Sequence, residues 1–194
     1  MSVETKQPSS KKSAVSLNPV LWFDGDCKKA LTFYEKALPC KVSFEMACEE
    51  TIVHACIDFG DSKIYVNDVH SDHPERGPKA NCSATMYVNV ENCDSAMKTA
   101  VDAGCKQLIA PDNFFWGARM GKVIDPFGHT WCFTHRVKMP TEEDLTKGRD
   151  EWWAKAKRKR EAFATKKKAS KVPKVSTDEE KKASKIAKTD DTTA

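Results

Sequence analysis

The feature that most constrains this chain is that it repeats itself. A shift of 66 residues lays Cys27 on Cys93, Ala30 on Ala96, Leu31 on Met97 and Ala37 on Ala103. Each copy reads as a strand, a helix and three further strands. The period is too long for a solenoid, so the repeat is a duplicated module rather than a stack.

In the first copy, an apolar run from Leu17 to Phe23 predicts a strand closed by the turn pair Asp24-Gly25. Asp26 stands where a helix cap is needed. Cys27, Ala30, Leu31, Tyr34, Ala37 and Leu38 then share one helical face, and Pro39 ends it. Strands follow at 41–46, 52–59 and 63–69, with Glu49-Glu50 and Gly60-Asp61 as turns. Residues 70–81, with Pro74, Gly77 and Pro78, read as a linker.

The second copy opens with a strand at 84–90. Asn92 is the expected cap, and Cys93, Ala96, Met97, Ala100 and Val101 form the apolar face, stopped by Gly104. Strands are predicted at 106–109 (extending toward Phe115), 119–124 and 129–137. One helix covers only one face of a four-stranded sheet, so two such modules are expected to curl around a shared cleft. The expected class is α+β: two βαβββ modules, 17–69 and 82–137, with a site in the cleft between them.

Three stretches carry a family resemblance: Trp22-Phe23-Asp24-Gly25-Asp26-Cys27 with Ala30-Leu31-Thr32-Phe33-Tyr34; Phe115-Trp116-Gly117-Ala118-Arg119-Met120-Gly121; and Asp125-Pro126-Phe127-Gly128-His129-Thr130-Trp131. With them the chain resembles the vicinal oxygen chelate superfamily of glyoxalase I, extradiol dioxygenases and bleomycin-resistance proteins, and within it the PhnB-like group. The likeness spans about residues 17–150. It implies the glyoxalase-like fold and paired chains. Independently of family, Asp125-Pro126-Phe127-Gly128 is a turn: Pro126 presets φ and Gly128 permits a positive one. That structural reading outweighs a catalytic one.

The resemblance also implies where a divalent metal would sit. The four slots fall at Asn18 or Pro19, at Tyr65 or Asn67, at Thr85 and at Cys132. None is His or Glu, and a one-residue slip reaches only Ala84, Met86, Trp131 and Phe133. Such a set lacks the charge and basicity that offset a cation's desolvation, so no metal and no cofactor are expected.

The slot positions that the resemblance implies select one parity as cleft-facing, and period-two alternation then puts Trp22, His54, Cys56, Asp58, Tyr65, Asn67, Thr85, Tyr87 and Cys132 on that side. Aromatics with a few polar groups suit an organic ligand. His54 is the candidate acid or base, against the reading of a histidine merely hydrogen-bonded or exposed on its sheet. Cys132 is a candidate nucleophile for which no adjacent base can be assigned. Trp116 and Arg119 could clamp an anionic aromatic ligand; equally, Trp116 caps the cleft and Arg119 pairs with Asp125. His129 reads as structural, and His70 and His73 as solvated. Whether the pocket catalyses anything stays open.

Charge separates domain from tail. Residues 1–137 hold 15 basic and 17 acidic residues, while 138–194 hold 17 and 11. The domain offers no basic face for nucleic acid. The tail carries Lys157-Arg158-Lys159-Arg160 and Lys166-Lys167-Lys168, which resemble a nuclear-localisation or polyanion-binding tract but also suit a solvated helix. A helix is expected over 138–168, started by Thr141 with Leu145, Trp152, Ala156 and Phe163 on one stripe. Residues 1–16 and 169–194 are expected to be disordered.

None of the eight cysteines forms a Cys-x-x-Cys pair, which disfavours zinc and redox motifs. No apolar run approaches the ~18 residues of a spanning helix, and residues 1–16 lack a signal-peptide core. The expectation is a cytoplasmic homodimer that binds a small molecule, with the basic tail as a route to the nucleus. The alternative is a dimeric scaffold whose tail contacts nucleic acid or an acidic protein partner.

Overall fold

The computed structural model describes residues 16–70, 74–78 and 82–169. The expected arm (1–16) and tail (169–194) lie almost wholly outside these, as does His73. The described residues divide into two units, one ending at Thr141 and the other starting at Glu142.

Two four-stranded sheets form the first unit. β1 (Val20–Phe23), α1 (Cys27–Ala37), β2 (Lys41–Cys48), β3 (Thr51–Phe59) and β4 (Ser62–Asp68) build the first module. β5 (Thr85–Asn89), α2 (Cys93–Ala103), β6 (Lys106–Asn113), β7 (Ala118–Ile124) and β8 (Thr130–Arg136) build the second. The sheet orders are β1-β4-β3-β2 and β5-β8-β7-β6, so the duplication extends to topology. In each, the first strand runs parallel to the last and the remaining pairs are antiparallel.

Burial follows the expected periods. Cys27, Ala30, Leu31, Tyr34 and Ala37 of α1, with Leu38 just past its end, are buried against Leu21, Phe23, Ile57, Ile64 and Val66 of the sheet. In α2, Cys93, Met97 and Ala100 are buried, but Val101 is 39% exposed and lies off the buried face. The sheet comes very close to α2 at Gly121, where a Cβ would stand 2.9 Å from Met97 Sδ.

The helix caps show where local reading fails. Asn92 caps α2 as expected, accepting Ser95 N–H at 3.0 Å. Asp26 occupies the cap position of α1 without a side-chain cap bond. Asp68, at the end of β4, takes that role. Its Oδ1 accepts Gly25 N–H and Cys27 N–H, both at 3.0 Å, and Oδ2 accepts Ile52 N–H at 2.8 Å. A carboxylate on the last strand is held in place by the sheet, whereas Asp26 is half-buried and pairs with Lys29 at 2.7 Å.

The two modules meet at the β7–β8 turn. Gly128 N–H donates to Asp125 O at 3.1 Å, and Gly128 has φ +94°, the conformation its lack of a Cβ permits. Asp125 is 5% exposed and fully engaged. Oδ1 accepts Phe127 N–H and His129 N–H at 2.9 Å each, and Oδ2 accepts Tyr34 O–H at 2.7 Å and Trp131 Nε1–H at 2.8 Å. Tyr34 belongs to the first module, so this carboxylate joins the two. Around it Phe23, Phe33 and Tyr34 pack edge-to-face on Phe127.

In the second unit, α3 (Glu142–Ala169) is a 28-residue helix with Glu142, Glu143 and Asp144 in its first turn, where acids complement the dipole. It starts after Thr141, four residues later than the expected span. Leu145, Trp152 and Phe163 of the expected stripe are 37%, 50% and 69% exposed.

Asp125→Ala should destabilise the chain by on the order of 3 to 5 kcal/mol, because it strands the buried Tyr34 hydroxyl and Trp131 indole together. Denaturant unfolding should show that loss, and Asp125→Asn, which keeps an acceptor, should lose less.

Candidate functional site

Strand register tests which side chains share a face. Val20 and Trp22 pair with Tyr65 and Asn67, and Cys56 pairs with Tyr65. All lie opposite the helix-covered residues, so the predicted alternation in the first sheet is the one observed. In the second sheet Thr85 pairs with Thr130 and Tyr87 with Cys132, again opposite the buried Trp131 and Phe133.

The first sheet's open face gathers a compact constellation. His54 Nδ1 lies 3.1 Å from Asn67 Oδ1, and its Nε2 lies 3.7 Å from Cys56 Sγ. Tyr65 and Phe44 flank the imidazole, with ring centroids 5.0 and 6.2 Å away. His54, Cys56, Tyr65 and Asn67 are half-buried, while Phe44 is 46% exposed. Cys56 and His54 stand two residues apart on β3, a same-face spacing already present in the linear pattern; what folding adds is Asn67 of β4, brought to the other ring nitrogen of His54.

The second sheet's open face differs. Cys132 is completely buried, and burial pushes its thiol up from the ordinary value despite Lys122 nearby. Thr134 beside it is buried as well, while Tyr87 is 55% exposed. Tyr87 O–H reaches Met120 Sδ at 4.0 Å.

A groove of about 960 Å³ runs along the edge strand β5. Thr85, Met86, Tyr87, Val88 and Asn89 form one wall, and Phe59, Gly60, Ser62, Lys63 and Ile64 from the β3–β4 turn form another. Asn92, Ser95 and Ala96 at the start of α2 close one end, with Trp131 also lining it. Of the predicted ligand-binding residues, the groove takes Thr85 and Tyr87. Trp22, His54, Tyr65 and Asn67 stand on the first sheet's open face instead.

Arg119 and Trp116 are elsewhere again. The alternative that paired Arg119 with Asp125 is corrected. Arg119 Nε and an η nitrogen each donate to Asp94 at 2.6 Å, and this fork holds the Asp94 carboxyl below its usual range. Asp125 is meanwhile saturated by the four donors described above. Trp116 stacks on Phe114 at 4.5 Å and meets Phe115 edge-on at 4.9 Å in the β6–β7 turn. That turn is locked by Gly117, φ +79°, where a Cβ would fall 2.2 Å from the Lys138 carbonyl.

His129 is structural, as expected. Its ring packs 4.9 Å from Phe23, and burial pushes the imidazole below its ordinary value, only partly offset by Asp125 and the Trp22 backbone. Among the described residues, no three of His, Cys, Asp and Glu are grouped to hold a metal ion. No helix among them is long and apolar enough to cross a membrane.

The pH consequence of His129 has a definite sign. A histidine whose folded value lies below its unfolded one takes up its proton more readily in the unfolded chain. Its contribution to stability is therefore complete above about pH 6.5 and declines as the pH falls through that value. Tm should drop between about pH 7 and 5, and His129→Phe should flatten that part of the Tm–pH curve.

Comparison with known proteins agrees with this architecture. An uncharacterised protein of Mycobacterium bovis is 28% identical over 139 residues, covering 67% of this chain and 89% of that one. Two solved structures share the fold. Protein PA1353 from Pseudomonas aeruginosa is 23% identical with a TM-score of 0.51, over 63% of this chain and 98% of the other. TioX from Micromonospora sp. ML1 is 22% identical with a TM-score of 0.50, over 63% and 100%. Residues 16–133 match the family model of the Glyoxalase/Bleomycin resistance protein/Dioxygenase superfamily, and the chain belongs to that superfamily.

Proposed function

We propose that this chain is a metal-independent member of its superfamily that binds a small organic molecule in the groove along β5. The carrying observation is the groove itself. It has the volume of an organic-ligand site, apolar walls in Met86, Val88, Phe59 and Ile64, and polar groups at Thr85, Asn89, Asn92 and Ser95. The exposed Tyr87 ring supplies contact area with a hydroxyl at its tip.

The family's metal does not fit the residues present. Asn18, Tyr65, Asn67 and Thr85 are neutral donors, and the fourth slot, Cys132, is sealed from solvent with burial opposing its ionisation. A thiol that resists deprotonation is a poor ligand, and nothing else in the set supplies negative charge. No reaction step is therefore assigned to a metal.

A thermal-shift screen of small organic molecules should yield ligands that raise Tm in the presence of a chelator. Tyr87→Ala should weaken such a ligand by on the order of 1 to 3 kcal/mol. Hits that vanish with chelator, or that ignore Tyr87, would overturn the reading.

We assign a homodimer to the chain, supported by apolar side chains left on the sheets: Phe44, Met46, Tyr87 and Leu108 are each about half exposed. A cytoplasmic location belongs to the same reading. A second reading rests on α3, where Lys157, Arg158, Lys159 and Arg160 are all exposed in consecutive positions. On it the tail contacts a polyanion. The full-length chain should then bind heparin or nucleic acid with steep salt dependence, and a chain ending at Phe163 should bind less tightly. Equal binding by both forms would remove Lys166-Lys167-Lys168 from that role.

A further inference from the structure

We propose that Cys56 is a reactive thiol, activated by His54 and positioned through Asn67, that adds to conjugated carbonyl compounds at the open face of the first sheet. This site is separate from the groove along β5, none of whose lining it shares.

Geometry assigns the roles. Asn67 Oδ1 carries no hydrogen, so at 3.1 Å it can only accept, which places the imidazole proton on Nδ1. Nε2 then presents its lone pair to Cys56 Sγ, 3.7 Å away. A nucleophile, a base within reach and a third group orienting that base make up the working arrangement of activated thiols. The three side chains sit on adjacent strands β3 and β4, so the sheet holds their spacing.

Burial works against five of the other cysteines. Burial pushes the thiols of Cys27, Cys93 and Cys132 up, and those of Cys40 and Cys105 up to about 12. Cys56 is half-buried, with an imidazole nitrogen in reach.

The surroundings choose the reaction class. Acyl transfer needs donors aimed at a developing oxyanion, commonly backbone N–H groups. At Cys56, β3 is paired on both sides, with Phe44 of β2 and Tyr65 of β4, so the backbone there is committed to the ladder. Conjugate addition needs only a base that becomes an acid. The Cys56 proton moves to His54 Nε2, and the thiolate sulfur forms a bond to the β-carbon. The carbon–carbon π pair shifts to make an enolate, and that enolate takes the proton back from His54. Nothing leaves and nothing is oxidised. Phe44 and Tyr65 on either side of the imidazole offer flat apolar surface to a conjugated system.

The test treats the full-length chain with acrylamide near neutral pH and follows each cysteine by peptide mapping. Cys48 is exposed and serves as an internal reference. Cys56 should react on the order of 10-fold faster than Cys48, and His54→Gln should remove that advantage. Asn67→Asp, which keeps an acceptor for Nδ1–H, should preserve it, whereas Asn67→Leu should not. Reaction of Cys56 no faster than Cys48 in the unmodified chain overturns the proposal, even if every variant fails to fold. So does a folded His54→Gln chain whose Cys56 reacts as before.

Discussion

The Asp125 carboxylate is the interaction on which the joining of the two modules turns. It is almost completely buried, and burying a charge costs several kcal/mol unless its lone pairs are used. Here they are used by two backbone amides of its own turn, by the Trp131 indole and by the Tyr34 hydroxyl from the other module. Burial and the adjacent carboxylate hold Tyr34 well above its ordinary value, so the phenol stays a donor. A fully satisfied polar centre in an apolar surround fixes one geometry, because any shift leaves a buried group unpaired. Phe23, Phe127 and His129 then pack around it as a shared core.

The duplicated modules have diverged in how they hold their helices. Both helices begin at a cysteine, Cys27 and Cys93, matched by the 66-residue shift. In the first module the leading amides are taken by Asp68 at the end of the last strand. In the second, Cys93 N–H donates to His135 Nδ1 at 2.9 Å, also from the last strand, while Asn92 adds a local cap. The task is the same in each: satisfying the orphan donors of a helix start from a strand end.

Duplication supplies two open sheet faces, and the chain furnishes them differently. The first carries half-buried polar groups in mutual contact, the second a sealed thiol beside the buried Thr134. The groove lies along the edge of β5 rather than across both faces. An edge strand turns both of its sides toward the same space, which is why Met86 and Val88 line the groove together with Thr85 and Tyr87.

Wherever neighbours in sequence decided the outcome, the residues alone determined it. Strand alternation, the buried face of α1, the Cys93, Met97 and Ala100 face of α2, the Gly104 stop and the Asp125-Pro126-Phe127-Gly128 turn depend on periods of two or 3.6 and on backbone dihedrals. Those belong to short stretches of chain. Tertiary structure alone decided that Asp68 displaces Asp26 as the cap, that Arg119 forks onto Asp94, and that Asp125 binds Tyr34 91 residues away. It also decided that Cys132 is sealed from solvent while Cys56 stays half-buried. Each is a choice among several carboxylates or thiols of equal intrinsic chemistry. What separates them is distance and burial after folding, and neither is defined until strands far apart in the chain have paired.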